Sequence, residues 1–305
     1  MNEENNFRVQ MIRVNGDAAP FIQVGFVDKD ANEYIGVMLI DSGSNQSILS
    51  YEAAGRLTPL LKKEGETSIF STISNDEIAM NKIQFSFTMG GKLFNEVFFV
   101  NDGVLPISLL GNTPVIGILG NIFMLKHRLV IDYSDYTLHV STVTGENFSI
   151  SNCDFFFPIE KGMKDFALPI VLLTHNKKSI LAIADTGATH NQIAMPTIEK
   201  RGIDCLFLGE KDIIKGMGGN IETVEAIVKF NLGSLTGEGV IEIPYQENFK
   251  VSPYFFLPPG DGECGEPLPP VEALIGSPFM AKEKWVLDFG ALIIYKFRKQ
   301  NKIWN

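Results

Sequence analysis

Two tripeptides carry the clearest chemistry in this chain: Asp41-Ser42-Gly43, inside GVMLIDSGSNQSILS, and Asp185-Thr186-Gly187, inside SILAIADTGATHNQI. Each acid closes an apolar run and is followed by a hydroxyl and then a glycine. A lone carboxylate at the end of a buried strand is costly, because burial disfavours its charged form. Two acids in matching contexts suggest a site that needs a pair. Carboxylates a few Å apart cannot both ionise cheaply, so the pair holds one proton over a wide pH range. One member can then act as a base toward water while the other acts as an acid.

The elements that would position these acids repeat. At an offset of 144 residues, Asp41, Ser42 and Gly43 fall on Asp185, Thr186 and Gly187. At an offset of 143, KIQFSFTMGG (Lys82 to Gly91) falls on EAIVKFNLGS (Glu225 to Ser234), two alternating segments read as half-buried strands entering tight turns at Gly90 and Gly233. At an offset of 156, VIGILGNIFMLKHRLVIDY (Val115 to Tyr133) falls on VEALIGSPFMAKEKWVLDF (Val271 to Phe289) and pairs Gly120 with Gly276 and Asp132 with Asp288. The change of offset implies about 12 extra residues in the second half, placed in the Pro- and Gly-rich LPPGDGECGEPLPP, Leu257 to Pro270.

Two long copies fit a duplicated domain better than a solenoid. The polar stretch Ser141 to Asn152 marks the boundary, which gives an N-terminal lobe over 1–145, a linker over 146–155 and a C-terminal lobe over 156–305. FIQVGFV (Phe21 to Val27), NEVFFVN (Asn95 to Asn101), ALPIVLL (Ala167 to Leu173) and GALIIYKF (Gly290 to Phe297) read as strands. One short helix is expected after each acidic motif, at SYEAAGRL and at PTIEKR, the latter with Pro196 in its first turn and Gly202 past its end. The expected fold is therefore mostly β, with two similar barrel-like lobes facing across a cleft.

Composition narrows the function classes. With 305 residues, 45% of them apolar and 20% charged, the chain reads as folded. A net charge of −10 and the lack of a dense basic run argue against a nucleic-acid partner. No apolar run reaches the roughly 18 residues a spanning helix needs, and the first residues, MNEENNFRVQMIRVNG, lack a signal-peptide layout. Cys153, Cys205 and Cys264 have no metal-like spacing and favour reduced thiols in a cytoplasmic setting. His127, His139, His175 and His190 form no ligand pair, so neither a metal nor another cofactor is expected.

The two D-[ST]-G tripeptides, each with an apolar-apolar-Gly segment downstream (Ile118-Leu119-Gly120 and Leu274-Ile275-Gly276), resemble the aspartic protease superfamily of pepsin-like and retroviral-type enzymes in its single-chain, two-lobed form. That resemblance implies an endopeptidase acting as a monomer on a peptide or protein, with Asp41 and Asp185 as the water-activating dyad. It also implies that Ser42 and Thr186 reach across to the opposite lobe. Gly43 and Gly187 would then let backbone approach the carboxylates, and Gly120 and Gly276 would admit a strand beside the acid loops. After the glycines the lobes differ: the Ser44 hydroxyl is expected to donate to the carboxylate, which Ala188 cannot do.

Pepsin-like enzymes carry a Tyr on a first-lobe flap. Ser71 to Lys82, with flap candidates Ser74 and Asn75, has none. The second-lobe counterpart, Ile214 to Thr223, is glycine-rich, and Gly216, Met217, Gly218 and Gly219 resemble a retropepsin flap. His190 is read as a loop or helix-start residue, and Asp132 and Asp288 as acids that tie turns. A peptide-binding protein of the same fold without turnover is the alternative reading.

Overall fold

Alternation sets the strands. Between Ile83 and Met89, the side chains of Ile83, Phe85, Phe87 and Met89 are buried while Gln84, Ser86 and Thr88 face outward. The computed structural model describes residues 7–14, 17–27, 30, 32–57, 64–71, 77–101, 109–110, 113–143, 153–161, 167–216, 219–236, 239–256, 260–261, 267–268 and 270–297.

In the first lobe, neighbouring strands run in the order Asp17–Val27, Glu33–Ile40, Thr113–Leu119, Ile48–Ser50, Lys92–Asn101, Glu77–Met89 and Glu64–Ser71. Gly25 pairs with Thr88 and closes this sheet toward a barrel. The second lobe repeats the order strand for strand: Ile170–His175, Lys178–Asp185, Ala273–Gly276, Asn191–Ala194, Gly239–Ser252, Gly219–Thr236 and Cys205–Gly216. Pairing of Leu173 with Leu232 closes it in the same way. The architecture is mostly β with two similar lobes, as the repeat implies.

A six-stranded sheet joins the lobes, in the order Arg8–Gln10, Thr137–Val140, Leu129–Asp132, Val286–Asp288, Ile293–Phe297, Cys153–Pro158. At its centre Ile131 faces Leu287, with Val130 opposite Asp288 and Asp132 opposite Val286. Ile131 and Leu287 are equivalent positions of the repeat, so the pairing lies on an approximate twofold axis between the halves. Cys153 to Phe155, assigned to the linker from sequence, belong to the outer strand of this sheet. Residues 144–152 lie outside the described residues.

Aromatic packing anchors each lobe. Phe85, Phe87, Phe94, Phe98 and Phe123 pack with ring centroids 5.4–5.9 Å apart. Phe230, Tyr245, Phe249 and Phe279 form the counterpart. Phe123 and Phe279, matched by the repeat, are 3% and 2% exposed, and truncating either to Ala should cost about 3–5 kcal/mol.

Helices form at Tyr51–Leu57 and Met195–Arg201, as expected, with Gly202 left-handed at the end of the second (φ 63°). Two further helices, Asn121–Lys126 and Ser277–Glu283, follow Gly120 and Gly276. The expected turn at Gly90 and Gly91 is present, both with positive φ. The turn expected at Gly233 is not: strand Gly219–Thr236 continues through it, with Gly233 opposite Glu242, and the chain reverses only beyond Thr236. Most of Leu257 to Pro270, including Cys264, lies outside the described residues.

Candidate active site

Asp41 directly follows strand Glu33–Ile40, and Asp185 ends strand Lys178–Asp185. Each strand runs parallel to the one bearing the apolar-apolar-Gly segment. The Asp41 amide donates to the Leu119 carbonyl at 3.0 Å, and Asp185 lies opposite Gly276. The helices after Gly120 and Gly276 continue the pattern. The Asn121 amide donates to the Ser44 carbonyl at 2.8 Å and the Ser277 amide to the Ala188 carbonyl at 2.9 Å.

The hydroxyls after the acids cross between the lobes. The Ser42 amide donates to Thr186 Oγ1 and the Thr186 amide to Ser42 Oγ, each at 2.9 Å. Ser42 Oγ donates onward to the Ala184 carbonyl at 2.6 Å, and Thr186 Oγ1 to the Ile40 carbonyl at 2.7 Å. Both residues are fully buried. Each hydroxyl thus satisfies one donor and one acceptor of the opposite chain segment, which buried backbone groups require.

The glycines allow the acids to meet. A Cβ on Gly43 would sit 2.5 Å from the Asp185 carboxyl carbon, and one on Gly187 would sit 2.5 Å from that of Asp41. Each glycine therefore clears space for the acid of the other lobe. A Cβ on Gly120 would strike the Gln46 carbonyl oxygen at 2.4 Å, and one on Gly276 the His190 carbonyl oxygen at 2.6 Å. The expected close packing of the apolar-apolar-Gly segments against the acid loops is present in both halves.

Asp41 Oδ1 accepts the amides of Gly43 at 2.9 Å and Ser44 at 3.0 Å, and Asp185 Oδ1 accepts that of Gly187 at 2.9 Å. The two acids keep part of their surface open, yet protein surrounds their carboxyls closely enough to remove most hydration. Burial, then the charge of Asp185 and its hydrogen bond, holds Asp41 well above the usual carboxylate range. Burial also raises Asp185, opposed by the hydrogen bond from Asp41 and by nearby backbone amides. The carboxyls thus interact directly, and burial pushes both toward the neutral form.

The structure corrects the role expected for the Ser44 hydroxyl. Ser44 supports Asp41 through its backbone amide, while its Oγ donates to the Gln46 carbonyl at 2.9 Å. The carbonyl is local, only two residues away, and leaves the dyad supported on both sides by backbone amides. Ala188 is buried beside Asp185 and lacks this side-chain bond.

Other sequence-picked residues are dispersed. His190 is exposed, and its Nδ1 contacts Thr189 Oγ1 at 2.9 Å. Asp132 accepts the Ser134 amide at 2.7 Å, and Asp288 accepts Ser141 Oγ at 2.7 Å and the Ala291 amide at 2.8 Å, so both tie turns. Flap candidates Ser74, Asn75, Met217 and Gly218 lie outside the described residues. Each lobe nevertheless has a hairpin at that place, with Ser71 opposite Glu77 in the first and Gly216 opposite Gly219 in the second.

Four supporting residues escaped the motif reading. Ser47 Oγ accepts the Gly120 amide at 3.1 Å, and Asn191 Oδ1 accepts the Gly276 amide at 3.0 Å. Asn121 Nδ2 donates to the Ser42 carbonyl at 3.4 Å, and Ser277 Oγ donates to the Thr186 carbonyl. The signal was present in the repeat, where Ser47 aligns with Asn191 and Asn121 with Ser277, a polar residue matched to a polar residue each time.

Among the described residues, no group of three or more His, Cys, Asp or Glu side chains could hold a metal ion, and no helix is long and apolar enough to cross a membrane. No family model and no curated protein sequence matches the chain. Among solved structures it is similar to the aspartic proteinase from Irpex lacteus, at 13% sequence identity and a TM-score of 0.51, over 97% of this chain and 99% of that one. At that identity the likeness concerns the backbone, and it establishes that the chain has the two-lobed, pepsin-like aspartic proteinase fold along nearly its whole length.

Proposed function

We propose that this protein is an aspartic endopeptidase that hydrolyses peptide bonds in an extended polypeptide bound between its lobes. The observation that carries this reading is the reciprocal arrangement at the dyad: each acid faces the glycine of the opposite lobe, and the Ser42–Thr186 clamp holds the two loops together. Low exposure and mutual repulsion favour one shared proton, which titrates as a property of the pair.

The ionised carboxylate takes a proton from a water molecule as the water oxygen bonds to the scissile carbonyl carbon. The protonated carboxyl hydrogen-bonds the carbonyl oxygen as negative charge develops there. Proton transfer to the departing nitrogen then accompanies C–N cleavage and returns the pair to its singly protonated state. Acid and base both come from the chain, and the products are a carboxylic acid and an amine.

Cleavage of an unbiased peptide mixture between about pH 3 and 7, with Asp41→Asn and Asp185→Asn as controls, tests the reading. Cleavage by the wild type and its loss in both variants is the expected result. Activity surviving either substitution would overturn the dyad. Peptide binding without cleavage at any pH would instead make the protein a silent binder of this fold.

A further inference from the structure

The strand registers align one row of side chains on the acid-bearing face of each lobe. In the first lobe the row runs Phe21, Leu39, Ile118, Ile48, Phe99, Lys82. In the second it runs Ile170, Ile183, Leu274, Gln192, Lys250, Glu225. Leu39 and Ile183 stand two residues before Asp41 and Asp185, so strand alternation puts them on the same face as the acids.

The rows begin alike and then diverge. Ile48 and Phe99 belong to an apolar cluster with Leu39, Ile118 and Met80. Their second-lobe counterparts are Gln192 and Lys250, and Met80 is replaced by Thr223, 1% exposed. Lys250, 8% exposed, places Nζ 2.9 Å from Asp212 Oδ2 and 3.6 Å from Glu225 Oε2. Asp212 lies opposite Thr223 in the second-lobe hairpin.

We infer that Lys250 determines substrate specificity: the second lobe takes a polar side chain beside the scissile bond, basic in preference to acidic, while the first lobe takes an apolar one. This rests on the endopeptidase reading. An apolar side chain in the second lobe would strip water from the Asp212 and Glu225 carboxylates, whose side chains are 52% and 23% exposed, without replacing its hydrogen bonds. One ammonium against two carboxylates leaves the cluster net negative, which favours a cationic partner over an anionic one. In the first lobe the same positions offer only apolar contacts.

The test is the cleavage-site profile of a diverse peptide mixture, read by mass spectrometry for wild type and Lys250→Met. Wild type should cut between an apolar residue and a polar or basic one. Lys250→Met should raise the apolar-to-polar ratio on the second side about tenfold or more and leave the first side unchanged. Apolar residues on both sides for wild type, or identical profiles for the two proteins, would overturn the inference. Should Lys250→Met fail to fold, Gln192→Ile, which breaks no ion pair, should produce a smaller shift in the same direction; no shift would count against the inference. Peptides retained by Asp41→Asn report the same preference without turnover. Retention of that profile with no cleavage by wild type would overturn the endopeptidase reading alone, and neither retention nor cleavage would overturn both.

Discussion

Ser42 and Thr186, in opposite lobes, exchange amide-to-hydroxyl hydrogen bonds of 2.9 Å in both directions, and their hydroxyls donate in turn to the carbonyls of Ala184 and Ile40. Neither hydroxyl is replaceable by a methyl without leaving a buried amide and a buried carbonyl unpaired. Ser42→Ala and Thr186→Val should each lower stability by about 1–3 kcal/mol, because unsatisfied buried groups incur their full desolvation penalty. A double-mutant cycle by chemical denaturation should show strong coupling, since both residues serve one network. Additive losses would show that the two hydroxyls act independently.

The glycine contacts separate steric need from backbone freedom. A methyl on Gly43 or Gly187 would meet the opposite carboxyl at 2.5 Å, whereas one on Gly55, in the first-lobe helix Tyr51–Leu57, meets nothing within 4 Å. Gly43→Ala and Gly187→Ala should abolish cleavage and lower stability by about 1–3 kcal/mol. Gly55→Ala should raise it by about 0.5–1 kcal/mol, through helix propensity alone. Thermal melts of the three variants check both signs.

Dyad titration should be visible in stability. Burial and Asp185 raise the Asp41 pKa above its value in the unfolded chain. The folded state therefore holds its proton more tightly than the unfolded state. The stabilisation this supplies is fully present below the unfolded pKa of about 3.9 and is lost as pH rises through the folded pKa. Asp41→Asn removes this contribution and keeps only that of Asp185, so its melting temperature relative to wild type should rise from acid to neutral pH. A difference that stays constant over that range would contradict the raised pKa.

The bond from Ser44 Oγ to the Gln46 carbonyl bears on pH dependence. By the symmetry of the lobes, a hydroxyl introduced with Ala188→Ser should turn to the equivalent carbonyl, that of His190, and away from Asp185. The acid limb of the pH–rate profile should stay within about 0.3 units of wild type, well below the unit or more that a direct hydrogen bond to a carboxylate produces. An acid shift of a full unit would show that the new hydroxyl reaches the dyad.

A buried ion pair braces the second lobe away from the dyad. Arg201 Nε and Nη2 grip Glu272 Oε1 and Oε2 at 2.7 and 2.9 Å, and the Leu181 amide donates to Glu272 Oε2 at 3.1 Å. Glu272 is 4% exposed. Glu272→Ala should cost about 3–5 kcal/mol, because it strands a partly buried guanidinium and an amide. Restoring packing with Glu272→Ala together with Arg201→Met should recover part of that loss in denaturation experiments.

Much of the site was legible in the chain because its determinants are local. An apolar run ending in Asp, a hydroxyl next and a glycine after it specify a strand, its end and a close approach. Duplication then signalled that Asp41 required Asp185. Alternation located the strands around Phe21, Asn95 and Glu225, and Pro196 and Gly202 bracketed a helix. The helices after Gly120 and Gly276 escaped because Asn121–Lys126 and Ser277–Glu283 are six and seven residues long, too short to show a period. Their role also depends on distant carbonyls, those of Ser44 and Ala188.

The sequence by itself determined which residues could form a dyad, that the chain is a duplication, and that each half is built from strands, because alternation and turn chemistry act between near neighbours. Only the tertiary structure decided that the Ser44 hydroxyl serves Gln46, that Gly43 and Gly187 make room for each other's acid, and that Phe99 and Lys250 occupy equivalent places on the two acid-bearing faces. Those relations depend on strand register across the sheets and on the axis through Ile131 and Leu287. Register is fixed by the summed packing of whole lobes, which no short stretch of chain contains.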